Sequence, residues 1–180
     1  MNAIVNVSPN WGIGREGKLL VFVPADLRRF RDLTTGKTIV YGKKTLRTFP
    51  DERPLPNREN VILTRDRSFA VEGAVVCHSL EELREFLRDR YSENVFVCGG
   101  ESVYKQLLPY CDTAYVTFSY TELKADKFFP DLNVKENWLV TEIESTQVEG
   151  KVPFRFVTYT NEAPLDLLAD KLPKAPGQGG

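Results

Sequence analysis

An α/β fold is what this sequence predicts: a single domain over residues 1–160, with a mostly parallel sheet of about eight strands, flanking helices and an antiparallel C-terminal hairpin. Three observations carry that reading. Short β-branched or aromatic runs alternate with amphipathic helical text from Asn2 to Tyr120, the pattern of strand–helix–strand crossovers. Two of the strand-like runs, TIVYG and NVFVCGG, end in glycine directly before helical text. Near the end, WLVTEIESTQV and VPFRFVTYTN flank Glu149-Gly150-Lys151, which reads as a hairpin between antiparallel strands.

In chain order, NAIVNVS is a β-rich run closed by Ser8, Pro9 and Asn10, the punctuation that follows a buried strand. GIGREGK and the residues up to Pro24 read as a loop. From Pro24, PADLRRFRDLT sets Leu27, Phe30 and Leu33 at helical spacing among charged residues, giving one apolar stripe. Pro24 suits the first helical position. TIVYG, ENVILT, AVVC, NVFVCGG and TAYVTFSY are the next strands. SLEELREFLRDRY opens on Ser79 with Glu82 at the capping-box position, and Leu80, Leu83 and Leu87 repeat at helical spacing. ESVYKQLLP is a further short helix, stopped by Pro109. Residues 161–180 form a C-terminal extension rich in Pro and Gly, whose end is expected to be mobile. Leu165, Leu167, Leu168 and Leu172 are expected to dock as an extra turn of helix.

Charge and composition exclude several classes. With 24 Lys plus Arg against 25 Asp plus Glu, the net charge is −1; no basic field exists to hold a nucleic-acid backbone, and no nucleic-acid partner is expected. The three cysteines, Cys77, Cys98 and Cys111, make neither a CxxC pair nor an even disulfide set, which suits a reducing cytoplasm. One histidine, His78, cannot build a His-rich zinc site, and no metal is expected. No apolar run approaches the roughly 20 residues of a bilayer span, and MNAIVNVSPN lacks the features of a signal peptide. A cytoplasmic protein without a membrane partner follows.

Gly12-Ile13-Gly14-Arg15-Glu16-Gly17 matches GxGxxG, but the dinucleotide fingerprint needs those glycines to close a strand and open a helix together. Here KLLVFV follows, and a flexible loop is the better account. Gly36 through Lys44 fails as a Walker loop, because Lys44 stands where a magnesium-binding hydroxyl belongs. Gly42-Lys43-Lys44-Thr45 lies between a strand and a helix, where free N–H groups favour phosphate; a solvated lysine pair is the competing reading. Gly99-Gly100 is a second such turn, open to a pyrophosphate or simply to a packed backbone. Both turns would face the carboxyl-end crevice of one sheet, where open α/β folds bind nucleotides. Together they point to a dinucleotide. Asp26, beside Leu27 and Phe30, either edges an apolar pocket or complements the dipole of its helix. His78 reads as an exposed loop residue, and Cys98 as a small core residue rather than a thiolate.

Over residues 1 to about 160 the ordered set AIVNVS, WGIGREGKL, PADLRRFRDLT, TIVYGKKT, RPLPNRENVILTR, VFVCGGESVYKQLLP, AYVT and KFFPD resembles the dihydrofolate reductase family. Each piece alone is weak; their order and spacing are specific. The resemblance implies hydride transfer from NADPH to dihydrofolate, with Asp26 as the pterin-binding acid and Thr117 supporting it from behind. A carboxylate suits that role as a bidentate acceptor for two neighbouring N–H donors. Val5, Asn6, Leu27, Phe30, Phe49, Leu55, Cys98 and Tyr104 are implied to contact the substrate, and Arg58 to fork onto its glutamate carboxylate. For the cofactor the resemblance implies Asn6, Ile13, Gly14, Leu19, Gly42, Lys43, Lys44, Thr45, Leu63, Thr64, Arg65, Cys98, Gly99, Gly100, Glu101, Ser102, Val103 and Tyr104. Lys43 and Arg65 would favour the 2′-phosphate of NADP. A monomer is expected.

Two positions depart from the family pattern. Leu19-Leu20-Val21-Phe22 stands where a Pro-Trp pair is usual, so the indole beside the substrate is absent, and Asn6 replaces a usual Ala. A pyrimidine reductase of riboflavin synthesis shares the implied fold and cofactor, but PADLRRF and RPLPNR argue against it. A folate or nucleotide binder without turnover is the alternative from another class.

Overall fold

The computed structural model describes residues 1–169. The strands and helices, in chain order, are β1 (Asn2–Val7), β2 (Gly12–Arg15), β3 (Lys18–Leu19), α1 (Pro24–Thr34), β4 (Thr38–Gly42), α2 (Lys43–Leu46), β5 (Glu59–Leu63), β6 (Ala74–Cys77), α3 (Leu80–Leu87), β7 (Val95–Val97), α4 (Glu101–Leu107), β8 (Thr113–Ser119), β9 (Lys127–Phe128), β10 (Trp138–Ile143), β11 (Gln147–Glu149) and β12 (Val152–Asn161). The main sheet runs β10-β12-β8-β1-β7-β4-β5-β6, with β11 also on β12. β1 and β4 to β8 pair in parallel, while β12 runs antiparallel to β8, β10 and β11.

Alternation along the strands divides the core. Ile4, Ile39, Tyr41, Ile62 and Phe96 point to one face, where Phe30 and Leu33 of α1 pack on them. Ala3, Val5, Val40, Val61 and Val97 point to the other, under Leu83 and Leu87 of α3 and Val103 and Leu107 of α4. The period-2 side-chain rule makes this two-faced burial possible, and it is why the central strands read as continuous apolar runs.

Three expectations are corrected. The segment after Trp11 is not a plain loop: β2 and β3 form a hairpin whose turn residues Glu16 and Gly17 have φ of 51° and 76°, the doubly left-handed turn that matches strand twist. β9 completes this small second sheet. The text WLVTEIESTQV is not one strand; β10 carries an irregularity between Val140 and Glu142, and the chain breaks before β11 resumes on β12. The leucine cluster docks as a single hydrogen-bonded turn rather than as helix among the described residues: Ala169 N–H donates to Asp166 O at 3.3 Å, Leu167 packs in the core while Leu165 and Leu168 stay exposed, and Leu165 N–H donates to Pro109 O. Leu172 and the expected mobile end lie outside the described residues.

The capping box of α3 forms in a shifted version. Glu82 N–H donates to Ser79 Oγ at 3.1 Å, while the Glu82 carboxylate accepts from His78 N–H at 2.6 Å, one residue before the cap. The Glu82 amide is satisfied as in the regular box, and the carboxylate takes the His78 amide in place of that of Ser79.

Candidate active site

The carboxyl ends of β1, β4, β5, β6 and β7 open on a crevice of about 1520 Å³, closed on its outer side by α1 and the β2–β3 hairpin. Such a crevice forms because parallel strands stop together and their connections diverge to opposite faces.

One end is built around Asp26. Pro24 starts α1, which sets Asp26 in the first turn facing the ends of β1 and β8. Asn6 and Thr117 are register partners on those strands. Thr117 Oγ1 donates to Asp26 Oδ1 at 2.7 Å, and Ser119 Oγ donates to Asn6 Oδ1 at 2.7 Å. With its oxygen engaged, Asn6 turns its amide hydrogens toward Asp26. Burial pushes the Asp26 carboxyl above the ordinary aspartate range, opposed by the Thr117 hydroxyl, the Arg29 charge and Asn6. The helix dipole and the pocket edge were alternatives on spacing; Asp26 satisfies both.

Apolar walls follow from α1 and the segment after α2. Leu27 and Phe30 line the crevice with Phe49 and Leu55, Phe49 packing edge-on against Tyr41 at 4.8 Å. The loop before β5 owes its shape to one buried amide. Asn60 Oδ1 accepts from Leu55 N–H and Tyr41 OH, and its Nδ2 donates to Leu55 O and Arg58 O. That clamp presents Arg58 at the rim, where Nε donates to Pro56 O at 2.9 Å and Nη1 to Thr34 Oγ1 at 3.3 Å. No protein group takes Nη2 among the described residues.

The other end carries the two glycine turns. Gly42 N–H donates to Gly99 O at 2.8 Å, so the turns after β4 and β7 touch. The Gly99–Gly100 peptide is cis, and Gly99 has φ of 111°. A side chain at Gly99 would meet the Tyr104 ring at 3.1 Å, and Tyr104 OH donates to Ile4 O at 2.7 Å. The starts of α2 and α4 have no side-chain cap, which leaves backbone N–H groups at the crevice for an anion. Lys44 and Arg65 project there, exposed and in no ion pair among the described residues. This donor set fits a dinucleotide phosphate backbone.

All the site residues expected from sequence line this crevice except Thr117, which acts from behind Asp26. Three details differ from expectation. Lys43 is held 2.6 Å from Asp66 and 4.9 Å over the Phe69 ring, holding the Asp66 carboxyl down at about 2; Lys44 and Arg65, at the same end, enter no ion pair among the described residues. The Glu101 side chain accepts from Phe128 N–H at 2.9 Å and so ties β9 to α4. Asn6 faces Asp26 and Ser119. Cys98 is a neutral thiol, its pKa pushed far up by burial.

His78, expected as an exposed loop residue, is half-buried, and with Ser79 it lines the same end as Thr64 and Arg65. His78 Nδ1 is 3.0 Å from Thr64 O. The signal was available: both follow β6, and every parallel strand end in such a sheet faces the crevice. Arg31 and Thr48 were likewise missed.

A nucleotide-sized crevice at the carboxyl edge of a parallel sheet, with phosphate-ready turns at one end and an acid in an apolar pocket at the other, defines a cofactor-dependent enzyme acting on a small, flat, polar-edged substrate. The family model for dihydrofolate reductase matches residues 1–161. The chain is 37% identical to a dihydrofolate reductase of Staphylococcus aureus over 140 residues, covering 78% of this chain and 80% of the relative. It is 36% identical to the Haemophilus influenzae enzyme over 161 residues, 88% of this chain and 97% of the relative. The solved dihydrofolate reductase from Enterococcus faecalis, complexed with NADP(H) and RAB-propyl, superposes with a TM-score of 0.75 at 34% identity, over 89% of this chain and 95% of that one. The chain belongs to the dihydrofolate reductase family.

Proposed function

We propose that the protein reduces 7,8-dihydrofolate to 5,6,7,8-tetrahydrofolate with NADPH, in the service of tetrahydrofolate biosynthesis and one-carbon metabolism. The observation that carries the site assignment is the Thr117-supported Asp26 carboxyl at the apolar end of a crevice whose opposite end bears uncapped glycine turns.

NADPH, when bound, supplies the hydride. Gly42 to Thr45 and Gly99 to Val103 would hold its phosphates by backbone N–H groups, with Lys44 and Arg65 at the 2′-phosphate and Ile13, Gly14, Leu19 and Leu63 along its rings. Asp26 accepts hydrogen bonds from the amino group and ring nitrogen of the pterin, orienting the ring and favouring its protonated form. Thr117 and Asn6 fix the carboxylate, Leu27, Phe30, Phe49 and Leu55 exclude water, and Arg58 forks onto the glutamate tail. We assign this chemistry to residues 1–160, acting as a cytoplasmic monomer, with 161–180 as an extension.

Loss of reduced-nicotinamide absorbance in a mixture with NADPH and dihydrofolate tests the reaction. Turnover in the wild type, reduced about a hundredfold or more in Asp26→Asn at neutral pH and less at acid pH, is the expected result. Binding of both ligands without turnover would instead mark a binder that has lost catalysis.

A further inference from the structure

Arg29 lies one turn after Asp26 on α1 and is half-buried, its head folded back against the sheet. Its guanidinium carbon is 4.2 Å from the Phe156 ring centroid and 5.5 Å from that of Tyr115. Phe156 is the cross-strand partner of Thr117, and Tyr115 shares β8 with it. The cation is therefore packed beside the hydroxyl that holds Asp26. Arg29 Nη1 is buried with no hydrogen-bond partner, and Arg29 enters no ion pair among the described residues. A long arginine ordinarily snorkels to solvent, and a buried, incompletely bonded one carries a desolvation cost. Placing it here gives up stability in exchange for a field.

The charged and titratable groups around this pair can be named. Glu144 just beyond β10 acts most strongly on Arg29, followed by Asp26 on α1, Tyr115 on β8 and Glu142 on β10. Tyr104 of α4 faces Asp26 from the other side, and Asn6 and Thr117 are its neutral hydrogen-bonding neighbours. Arg29 is the cation of this group. Aromatic faces on its underside attract the guanidinium without neutralising it; Glu142 and Glu144 stand exposed, where water screens them, whereas the field toward Asp26 runs through a more weakly screening medium.

We propose that Arg29 is a positioning residue for the reduction: its guanidinium, stacked on Phe156 and Tyr115 beneath α1 with Nη1 shielded from water, adds to the Thr117 hydrogen bond the positive field that helps keep the Asp26 carboxylate charged where the pterin docks. This rests on the assignment of Asp26 as the pterin acid. Arg29 touches neither ligand and acts only through Asp26.

The test is the pH profile of kcat/KM for dihydrofolate, which reports ionisation in the free enzyme, in wild type, Arg29→Met, Arg29→Gln, Arg29→Lys and Asp26→Asn. The two neutral variants are expected to move the apparent pKa upward by about one pH unit, and Arg29→Lys to stay within about 0.3 of wild type. NADPH dissociation constants, read by fluorescence, should remain within about twofold throughout, because the cofactor turns are remote. Combined with Asp26→Asn, Arg29→Met should shift nothing further. Folded neutral variants that bind NADPH normally yet keep the wild-type profile overturn the proposal, as does Arg29→Lys shifting as far as Arg29→Met. Should neither neutral variant fold, the wild type decides. A counter-charge packed against the aromatic rings beneath α1 leaves the apparent pKa constant within about 0.2 between roughly 0.05 and 0.5 M salt, and a value that climbs with salt overturns it. An Asp26→Asn enzyme with an unchanged profile would remove the parent assignment instead, leaving the two failures distinguishable.

Discussion

Asp26 is held in a conflict between burial, which raises its pKa, and Thr117, Arg29 and Asn6, which lower it, with burial the larger influence. A carboxyl whose pKa is raised on folding binds its proton more tightly in the folded state, so its ionisation costs stability. Stability from this group is then gained as pH falls from its folded value toward the unfolded one. Asp26→Asn is accordingly expected to raise the melting temperature of the ligand-free protein at neutral pH, and the gain should vanish below about pH 3.9, where the wild-type group is protonated in both states. Thermal melts across pH check this; equal melting points at neutral pH contradict it. Arg58 makes the opposite kind of contribution. Its hydrogen bonds to Pro56 and Thr34 leave Nη2 for a carboxylate, far from the reacting carbon. Arg58→Leu should raise KM for dihydrofolate about ten- to a hundredfold with little change in kcat, the mark of uniform binding. A pterin lacking the glutamate tail should show no such difference.

Among the elements, α3 and the segment before α1 make separable demands. The Ser79 side chain satisfies the Glu82 amide, and Ser79→Ala should cost about 1 kcal/mol, a fall of about 2–4 °C in Tm for a protein of this size. Circular-dichroism melts measure it, and an unchanged Tm would show the cap to be redundant. Before α1, Val23 is buried while Phe22 is 69% exposed at the crevice mouth. Phe22 and Val21 both line the crevice, so a bound ligand can draw the Phe22 ring over the space that a tryptophan at Val21 would occupy. Phe22→Ala is expected to weaken binding of diaminopyrimidine antifolates about tenfold, because the ligand then buries less apolar surface, each Å² of which is worth roughly 25 cal/mol. If affinity holds in Phe22→Ala and rises in Val21→Trp, the space is open and Phe22 is idle.

Across the whole molecule the charge distribution separates the two ends of the crevice. Net charge is −1, yet Lys44 and Arg65 enter no ion pair among the described residues at the glycine-turn end, while Lys43 is spent on Asp66. NADPH should be preferred to NADH, and that preference should shrink several-fold as ionic strength rises from about 0.05 to 0.5 M, because exposed charge contacts are screened beyond a Debye length of roughly 10 Å or less. Equal KM values for the two cofactors at low salt would contradict the assignment. Lys44→Ala should narrow the preference further than Lys43→Ala, a ranking that the residue types alone do not provide.

By itself the sequence determined the order of the helices and of the parallel strands β1 and β4 to β8, the two glycine turns and the ordered motifs of the family, because these depend on local periodicity and on backbone freedom at particular residues. It also determined that α1 starts at Pro24 and that α3 is capped by Ser79. Tertiary structure decided the rest. Only packing brings Asn6, Ser119 and Thr117 around Asp26, and only it folds Arg29 inward onto Phe156. Glu149, legible as a turn residue, accepts from the Ala25 amide at 2.5 Å and pairs with Arg28 at 2.9 Å, so a strand far along the chain anchors the helix that carries Asp26. Lys43 looks like Lys44 in one dimension, and the choice between phosphate ligand and ion-pair partner is made by where Asp66 lies. The physical reason is common to all of these: hydrogen bonds, burial and charge act over a few ångströms of space, whereas spacing along the chain fixes neighbours only within a turn of helix or across a strand.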